Sequence, residues 1–338
     1  MNNILEHKLR AKILQTTAAN FEETALEVFN FQYTNNEFYK AYCNLLHINS
    51  SKINCIEKIP FLPIQFFKTQ VIKTTTFNEQ IIFESSGTTG STNSKHFVKE
   101  KKLYEESYLK TFRNFYGSEN NYCIIGLLPS YLERQNSSLV YMVDDLIKKS
   151  EHKNSGFYLY DYEKLKKILL ENEATKQPTL LIGVTYALVD FAELNKINLQ
   201  HTTIIETGGM KGRRDELSRK EVHQILTQNL AVQNIHSEYG MTELLSQAYS
   251  TGNGFFTTPT YMQILLRSKD DPFEIYSKVH TVQNTLAGGV NIIDLANLYS
   301  CAFIATDDAG ILYPNNSFEI IGRLENCDIR GCSLMVAE

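Results

Sequence analysis

A segment rich in hydroxyl side chains, with two glycines, directly follows the apolar run Ile81-Ile-Phe83. With Phe83 included, it reads Phe83-Glu-Ser-Ser-Gly-Thr-Thr-Gly-Ser-Thr-Asn-Ser-Lys95. Glycine permits positive φ and close approach of a ligand to the backbone, and hydroxyl groups donate hydrogen bonds. Backbone N–H groups that point into such a loop bind anions. We therefore predict a phosphate site, with a mobile charge at its far end on Lys95. The loop residues are Ser85, Ser86, Gly87, Thr88, Thr89 and Gly90.

The common phosphate motifs do not fit this spacing. A Walker loop needs a second glycine five residues after Gly87, where Thr92 stands, and a dinucleotide fingerprint needs one at Thr89. A polar surface turn is the alternative, since clusters of glycine, serine and threonine are typical of turns. The segment alone leaves both interpretations open.

Three later segments favour the phosphate interpretation. Together with Ser85–Gly90 they resemble, in order, the signatures of the acyl-adenylate-forming superfamily, which includes acyl-CoA ligases, luciferases and the adenylation domains of peptide synthetases. The resemblance implies activation of a carboxylic acid as acyl-AMP, with ATP and Mg²⁺ as cofactors. The three segments are Glu238-Tyr-Gly-Met-Thr-Glu243, Thr306-Asp-Asp-Ala-Gly310 and Gly322-Arg-Leu-Glu325.

In the second signature the resemblance implies that Tyr239, followed by Gly240, stacks on the adenine. It implies that Thr242 bonds the α-phosphate and that Glu243 holds Mg²⁺. These residue types suit those tasks, because a hard cation prefers carboxylate oxygens and an aromatic face suits a purine. The alternative is that Thr242 and Glu243 merely begin a helix.

Two further contacts to the nucleotide are implied. Thr207, Gly208 and Gly209 directly follow the apolar strand that ends at Glu206, where ligands of open α/β sheets bind. The resemblance places this turn along the adenine, although a tight turn also needs glycine. Asp308 corresponds to the carboxylate that accepts the ribose hydroxyls, and Arg323 to a ribose or phosphate ligand. Asp307 replaces the usual glycine, so either aspartate of the pair remains a candidate.

The end of the sequence offers a nucleophile. A thiol near a cation such as Arg330 has a lowered pKa when it is partly exposed and is then reactive. Cys332, in this position, resembles the acyl-carrying cysteine of the bioluminescence-type acyl-protein synthetases, which keep a fatty acyl group as a thioester. A cysteine that only packs a terminal strand is the alternative. Cys327 is the second candidate.

At its C-terminal end the sequence departs from the pattern of the superfamily. Only seven residues follow Gly331, so we expect the small C-terminal domain of these enzymes to be largely absent. The lysine that this domain supplies has no counterpart here. Lys95 or Lys211 is the candidate to replace it, unless adenylation proceeds with Mg²⁺ and the loop alone.

Composition excludes several classes of protein. The formal net charge of -5 over 338 residues gives no electrostatic basis for nucleic-acid binding. The N-terminus lacks the pattern of a signal peptide and no apolar run reaches the length of a membrane span, so we expect a cytoplasmic protein with no membrane partner. The six cysteines are widely scattered, which is not the pattern of a disulfide framework.

Apolar periodicity predicts an α/β fold. Helices are expected in residues 1–60, and strands alternate with helices in residues 60–250, which indicates a mostly parallel sheet with flanking helices. Short strands and turns in residues 251–338 indicate an antiparallel sheet or half-barrel with a hinge-like tail. This is the architecture that the resemblance implies for the large N-terminal domain of adenylate-forming enzymes.

The sequence thus predicts an ATP-dependent acyl-adenylating ligase of the acyl-protein synthetase type, acting on a fatty acid or similar carboxylic acid. The expected protein partner is an acyl-reductase or acyl-transferase that receives the acyl group. Two alternatives remain open at this point. One is a shortened ligase that uses coenzyme A or a carrier thiol, and the other is a nucleotide-binding subunit without catalysis.

Overall fold

Apolar runs of five residues form the centre of one of the main sheets. In the computed structural model the strands Cys123–Leu127 and Thr179–Gly183 are buried at every position. Burial on both faces is typical of parallel strands that are covered by their connecting helices. The structure describes residues 2–86, 92–129, 135–208, 217–278 and 285–324.

The α-helices of these ranges lie mostly in the first two thirds of the chain. They are α1 (Asn2–Ile13), α2 (Phe21–Asn35), α3 (Glu37–Leu45), α4 (Phe66–Thr69), α5 (Lys101–Tyr116), α6 (Ser138–Ser150), α7 (Tyr162–Thr175), α8 (Thr185–Leu194) and α9 (Arg219–Leu230). Short polar side chains begin several of them. Ser218, for example, caps α9 through a reciprocal capping box with Glu221.

The strands become longer towards the end of the chain. They are β1 (Leu62–Pro63), β2 (Ile81–Glu84), β3 (Lys95–Val98), β4 (Cys123–Leu127), β5 (Gly156–Phe157), β6 (Thr179–Gly183), β7 (Thr202–Glu206), β8 (Ile235–Tyr239), β9 (Ala248–Ser250), β10 (Met262–Arg267), β11 (Ile275–Tyr276), β12 (Leu286–Asp294), β13 (Phe303–Leu312) and β14 (Phe318–Arg323).

The chain forms two compact units. Unit 1 comprises Met1–Ser107, Thr242–Ser246 and Thr257–Glu338, and unit 2 comprises Tyr108–Met241 and Gln247–Phe256. The short segment Thr242–Ser246 therefore belongs to unit 1, although the residues on either side of it belong to unit 2.

Unit 2 contains the predicted parallel sheet. Its strand order is β5-β4-β6-β7-β8-β9, and only β9 runs antiparallel to its neighbour. The register pairs Gly183 with Glu206 and Glu206 with Ser237, so the carboxyl ends of β6, β7 and β8 meet at one edge. That edge is where open α/β sheets bind ligands.

Unit 1 contains the predicted antiparallel sheet. The order is β1-β13-β12-β10-β11, with β14 also paired to β13. No sequence pattern predicted β1. This strand pairs parallel with β13 and places Leu62 opposite Ile304. Pro63 is tolerated there because β1 is an edge strand and needs no further ladder donor.

The N-terminal helices pack within unit 1. The buried Gln32 amide on α2 donates to the carbonyl oxygens of Asn297 and Leu298 and accepts from the amide of Ala302. Asn36 caps α3 and donates to the carbonyl of Ser300 at 3.0 Å. The helical prediction for this region is thus confirmed, and its buried polar groups are satisfied by the C-terminal third of the chain.

Strands β5 and β11 consist of two residues each. Strand β5 is Gly156–Phe157 only. Strand β11 begins at Ile275, because the amide of Phe273 donates to the Asp271 carboxylate in a turn. Among the described residues, no helix combines the length and the apolar character that crossing a bilayer demands.

Candidate active site

The predicted phosphate loop is carried by a hairpin of unit 1. Strands β2 and β3 pair antiparallel, with Phe83 opposite His96 and Glu84 opposite Lys95. The stem continues through Ser85 and Ser94, since the amide of Ser85 donates to the carbonyl of Ser94 at 3.1 Å and the amide of Ser94 to Ser85 Oγ at 2.9 Å. Both ends of the loop are thereby fixed. Gly87, Thr88, Thr89 and Gly90 lie outside the described residues.

Two polar side chains frame this loop. Ser86 is exposed at its start. Lys95, at its other end, is half-exposed and places its Nζ 3.8 Å from the Glu84 carboxylate. A long ion pair at this exposure contributes little to stability, so the ammonium group is available to an anion bound in the loop.

Thr242 and Glu243 lie against the same hairpin. His96 on β3 is 1% exposed, and its Nδ1 lies 2.9 Å from the carbonyl oxygen of Thr242. Burial lowers the pKa of His96 to about 4, so the ring is neutral near neutral pH. Because a carbonyl oxygen only accepts, Nδ1 carries the proton of this bond.

The Glu243 carboxylate is 5% exposed and hydrogen-bonded to the hydroxyl of Ser94. Burial raises the pKa of Glu243, while Ser94 and the positive charges of Lys68 and Arg323 oppose this shift. A buried carboxylate in this state gains from a divalent cation, which stabilises its charged form. Mg²⁺ is often held by one carboxylate together with substrate phosphates and water, and Glu243 fits that mode. Within the described ranges, no three His, Cys, Asp or Glu side chains form a metal cluster.

Two buried side chains fix the segment that carries Glu243. Asn297 Nδ2 donates to the carbonyl of Glu243 at 2.7 Å. Asp294 is 0% exposed and accepts from the amides of Leu245 and Ser246 at 2.8 and 3.0 Å and from the hydroxyl of Ser246 at 2.6 Å. The alternative that Thr242 and Glu243 begin a helix is wrong, since they lie in a turn that leads to strand β9.

The two adjacent aspartates of β13 have different surroundings. Asp308 is 9% exposed and pairs across the sheet with Arg323 on β14, with Asp308 Oδ1 3.3 Å from the guanidinium. Asp307 instead accepts from Gln65 Nε2 at 2.5 Å near the surface. Alternation along the strand separates the two carboxylates. Asp308 is thus the enclosed one.

A half-buried arginine supports this part of β13. Arg267 donates to the carbonyl oxygens of Val290 and Thr306 and to Asn291 Oδ1. Thr306 Oγ1 donates to the carbonyl of Val290 at 2.9 Å and accepts from the amide of Asp308 at 3.1 Å. The backbone at Asp308 is therefore fixed from the interior of the sheet. Arg267 belongs to no sequence motif, so its supporting contacts could not be predicted.

In unit 2, the turn after β7 has the tight backbone that the sequence predicts. The amide of Thr207 donates to the carbonyl of Gly183 at 3.0 Å, and the amide of Gly208 to the Glu206 carboxylate at 2.8 Å. Gly208 has φ +72° and open space where a side chain would be, so glycine is required by its conformation. Gly209 and Lys211 lie outside the described residues.

The second signature loop begins at the end of β8. The ring of Tyr239 packs against that of Phe256, with centroids 5.9 Å apart. A Cβ atom at Gly240 would lie 2.4 Å from Glu238 Oε1 and 3.3 Å from Gln247 Cγ. The absence of a side chain at Gly240 therefore gives room to the carboxyl of Glu238.

Glu238 lies close enough to the buried Glu206 for the two carboxyl groups to interact electrostatically. Burial, with the charge of Glu206 as second cause, raises the pKa of Glu238 to about 8 from an ordinary value of 4.5. Between these values the native chain keeps a proton that the unfolded chain loses. The stability of the native state is therefore highest near or below the ordinary pKa and decreases as pH rises towards 8.

Replacing Glu238 by Gln should flatten this pH dependence. At about 1.4 kcal/mol per pKa unit, the contribution of Glu238 to the free energy of unfolding should fall by about 2–4 kcal/mol between about pH 5 and about pH 8, and this part of the pH dependence should be missing in Glu238→Gln. Urea unfolding at these two pH values measures the change, with the exposed Glu163→Gln as the control. Equal pH slopes in wild type and Glu238→Gln would contradict the assignment.

The structure thus gathers one set of predicted residues in unit 1 and another in unit 2. The first set consists of Ser85, Ser86, Lys95, Thr242, Glu243, Asp308 and Arg323, and the second of Thr207, Gly208, Tyr239 and Gly240. Supporting residues such as His96, Asp294 and Arg267 had no signal in the sequence. Glu325, Cys327 and Cys332 lie outside the described residues.

Comparison with known proteins relates this arrangement to a family. A family model described as "Acyl-protein synthetase, LuxE" matches residues 14–338. A long-chain-fatty-acid–luciferin-component ligase from Aliivibrio fischeri is 26% identical over 340 residues, which cover 92% of this chain and 86% of that protein.

Solved structures share the fold. ATP-bound MatB from Rhodopseudomonas palustris matches 74% of this chain with a TM-score of 0.50 and 13% identity. An ATP-bound chimera of RpMatB and BxBclM matches 75% with a TM-score of 0.51 and 14% identity. The chain spans about half the length of these two proteins, which the matches cover to 50% each. The likeness confirms the predicted α/β architecture with its additional antiparallel sheet.

Proposed function

Because the chain belongs to the acyl-protein synthetase family LuxE, and is thus an ATP-dependent acyl-adenylating enzyme, we propose that it activates a fatty acid as acyl-AMP and then carries the acyl group as a thioester on Cys332. The fatty acid is supported by the name of the Aliivibrio fischeri relative, a long-chain-fatty-acid ligase. An acyl-reductase or acyl-transferase is the proposed receiver of the acyl group.

One observation carries the adenylation step. Glu243 and Thr242, which follow β8 in the chain, lie on the hairpin that bears the phosphate loop, through Ser94 and through the 2.9 Å bond from His96. Hydroxyls, a lysine and a buried carboxylate are therefore held by the same two strands. This combination suits a metal-bound polyphosphate.

We assign the phosphates to the loop 85–90, Lys95 and Thr242, and Mg²⁺ to Glu243. The ion, when bound, neutralises charge on the phosphate oxygens. Lys95 takes the place of the lysine that longer adenylating enzymes carry in their C-terminal domain, with Lys211 as the other candidate.

The ribose and the base are assigned separately. Asp308 accepts the ribose hydroxyls, since a carboxylate forms two such bonds well, and Arg323 contacts the ribose or a phosphate. Tyr239 and Gly240, with Thr207, Gly208 and Gly209, bind the adenine. The ring of Tyr239 is supported for this task by its contact with Phe256.

The chemistry then has two steps. An oxygen of the substrate carboxylate attacks the α-phosphorus of ATP, the bond to the bridging oxygen breaks, and pyrophosphate leaves with that electron pair. The thiolate of Cys332 next attacks the carbonyl carbon of acyl-AMP, and AMP leaves as the anion while the thioester forms. The proton of the thiol passes to solvent or to a nearby base.

Intact mass after incubation with Mg·ATP and a mixture of fatty acids, without coenzyme A, tests the proposal. We expect an ATP-dependent, hydroxylamine-labile mass increase that identifies the acid. Pyrophosphate release without an adduct, with acyl transfer only when coenzyme A is added, would instead show a ligase with an external thiol. ATP binding without pyrophosphate release for any acid would indicate a nucleotide-binding subunit.

A further inference from the structure

The two segments assigned to the phosphates are far apart in sequence, and His96 joins them in addition to the contact between Ser94 and the Glu243 carboxylate. His96 and Thr242 are separated by 146 positions, and the bond from Nδ1 of His96 to the carbonyl oxygen of Thr242 measures 2.9 Å. His96 immediately follows Lys95 on β3, and Thr242 immediately precedes Glu243. The bond therefore joins the hairpin of the phosphate loop to the residues assigned to the α-phosphate and the cation.

The environment of this bond makes it specific. The ring is 1% exposed and lies edge-on to Phe67, with centroids 6.2 Å apart at 82°. Water has little access to the ring at such a site, and a partly buried carbonyl that loses its donor is left without a hydrogen bond. The position of the Thr242 carbonyl therefore depends on where the ring of His96 places its Nδ1–H group.

The other attachments of this segment hold residues 243–246. Ser94 of the hairpin is hydrogen-bonded to the Glu243 carboxylate, and the remaining contacts come from outside the hairpin. Asn297 binds the carbonyl of Glu243, and Asp294 binds the amides of Leu245 and Ser246. Asp294 is the last residue of β12 and Asn297 lies in the short helical turn that follows, and together they fix the C-terminal part of the segment. His96 is the attachment at its N-terminal end, where the Thr242 hydroxyl must be placed. Without His96, Thr242 would be free to shift while residues 243–246 stayed in position.

We propose that His96 is a positioning residue for adenylation, which acts by donating Nδ1–H to the Thr242 carbonyl and so fixes Thr242 relative to the phosphate-loop hairpin. This inference rests on the proposed function. A displacement of about 1 Å in such a group can reduce a rate by about 100-fold, so the effect should appear in kcat of adenylation more than in KM for the acid.

Amide substitutions test the geometry of the donor. In Asn the amide nitrogen is attached to Cγ, as Nδ1 is in histidine, whereas in Gln it reaches one bond farther, near the place of Nε2. His96→Asn should therefore restore the bond and His96→Gln should not. His96→Leu removes every polar atom and reports the effect of the lost bond alone.

The measurement is ATP–pyrophosphate exchange with the fatty acid found by intact mass. We expect His96→Asn to retain kcat within about 3-fold, and His96→Gln and His96→Leu to lose at least about 10-fold in kcat with KM for the acid little changed. Thermal unfolding midpoints of Asn and Gln variants should agree closely. A loss of the same size in all three variants, or no loss in any, would overturn the proposal.

A second readout does not depend on catalysis. Amide hydrogen exchange in the peptide that covers residues 241–246 should be faster in His96→Gln than in His96→Asn, which should resemble wild type. Equal exchange in the two variants would contradict the positioning role. If wild type shows no ATP–pyrophosphate exchange with any acid, the proposed function fails, while the hydrogen-exchange comparison still decides whether His96 holds Thr242.

Discussion

A variant with Cys332 replaced by Ser should release pyrophosphate but carry no acyl adduct. The serine hydroxyl has a far higher pKa than a thiol and, without a base beside it, is a poor nucleophile towards acyl-AMP. We therefore expect acyl transfer to residue 332 to be more than about 100-fold slower, with the first step unaffected. Wild type should release a second equivalent of pyrophosphate, because its thioester frees the site for another adenylation. The variant should stop after the first.

Rapid quench with labelled fatty acid measures both quantities in one experiment. Cys327→Ser is the matched control, since this cysteine lies five positions earlier in the same tail, and it should keep the hydroxylamine-labile label. If Cys327→Ser loses the label while Cys332→Ser keeps it, the acyl site moves to Cys327. If both variants keep it, the thioester assignment to this tail is wrong.

Glu243→Gln should reduce the rate of adenylation by about 100- to 1,000-fold, the size of effect seen when a group that stabilises transition-state charge is removed. The substitution preserves the shape of the side chain, and the backbone bonds from His96 and Asn297 remain in place. Only the negative charge that would bind the cation disappears. The Mg²⁺ concentration for half-maximal ATP–pyrophosphate exchange should rise accordingly.

Stability separates this effect from misfolding. Because burial raises the pKa of Glu243, the charged form costs free energy in the native state. Glu243→Gln should thus unfold at the same temperature as wild type or higher, and the exposed Glu37→Gln should change neither activity nor stability. If the rate of ATP–pyrophosphate exchange in Glu243→Gln stayed within about 3-fold of wild type at every Mg²⁺ concentration, Glu243 would not be the residue that holds the ion.

Local patterns were sufficient to predict many of the elements that carry the candidate site. The runs that became β4 and β6 are mostly apolar, and β7 is rich in the β-branched residues Thr and Ile, so these strands could be predicted from composition. The hydroxyl-rich loop after Phe83 and the glycine turn after Glu206 follow such strands directly. Sequence neighbours alone determine these features.

The supporting contacts could not be predicted, because they join residues that are distant in sequence. Nothing around His96 indicates that its partner is Thr242, and nothing around Arg267 indicates the carbonyl of Thr306. The same holds for β1, a two-residue strand whose existence depends on β13. The choice between Asp307 and Asp308 likewise needed the alternation of β13, which shows that Asp308 is the buried one.

The way the two units divide the chain affects the order in which they can fold during synthesis on the ribosome. Unit 2 is almost contiguous, from Tyr108 to Phe256 with one short interruption, whereas unit 1 needs residues from both ends of the chain. The bonds of Gln32 to residues 297–302 form only after about nine tenths of the polypeptide exists. During translation, unit 2 can thus fold early. The apolar faces of α2 and α3 stay exposed until the C-terminal third of the chain has been made. In the emerging chain, these N-terminal helices are the segment for a chaperone to protect.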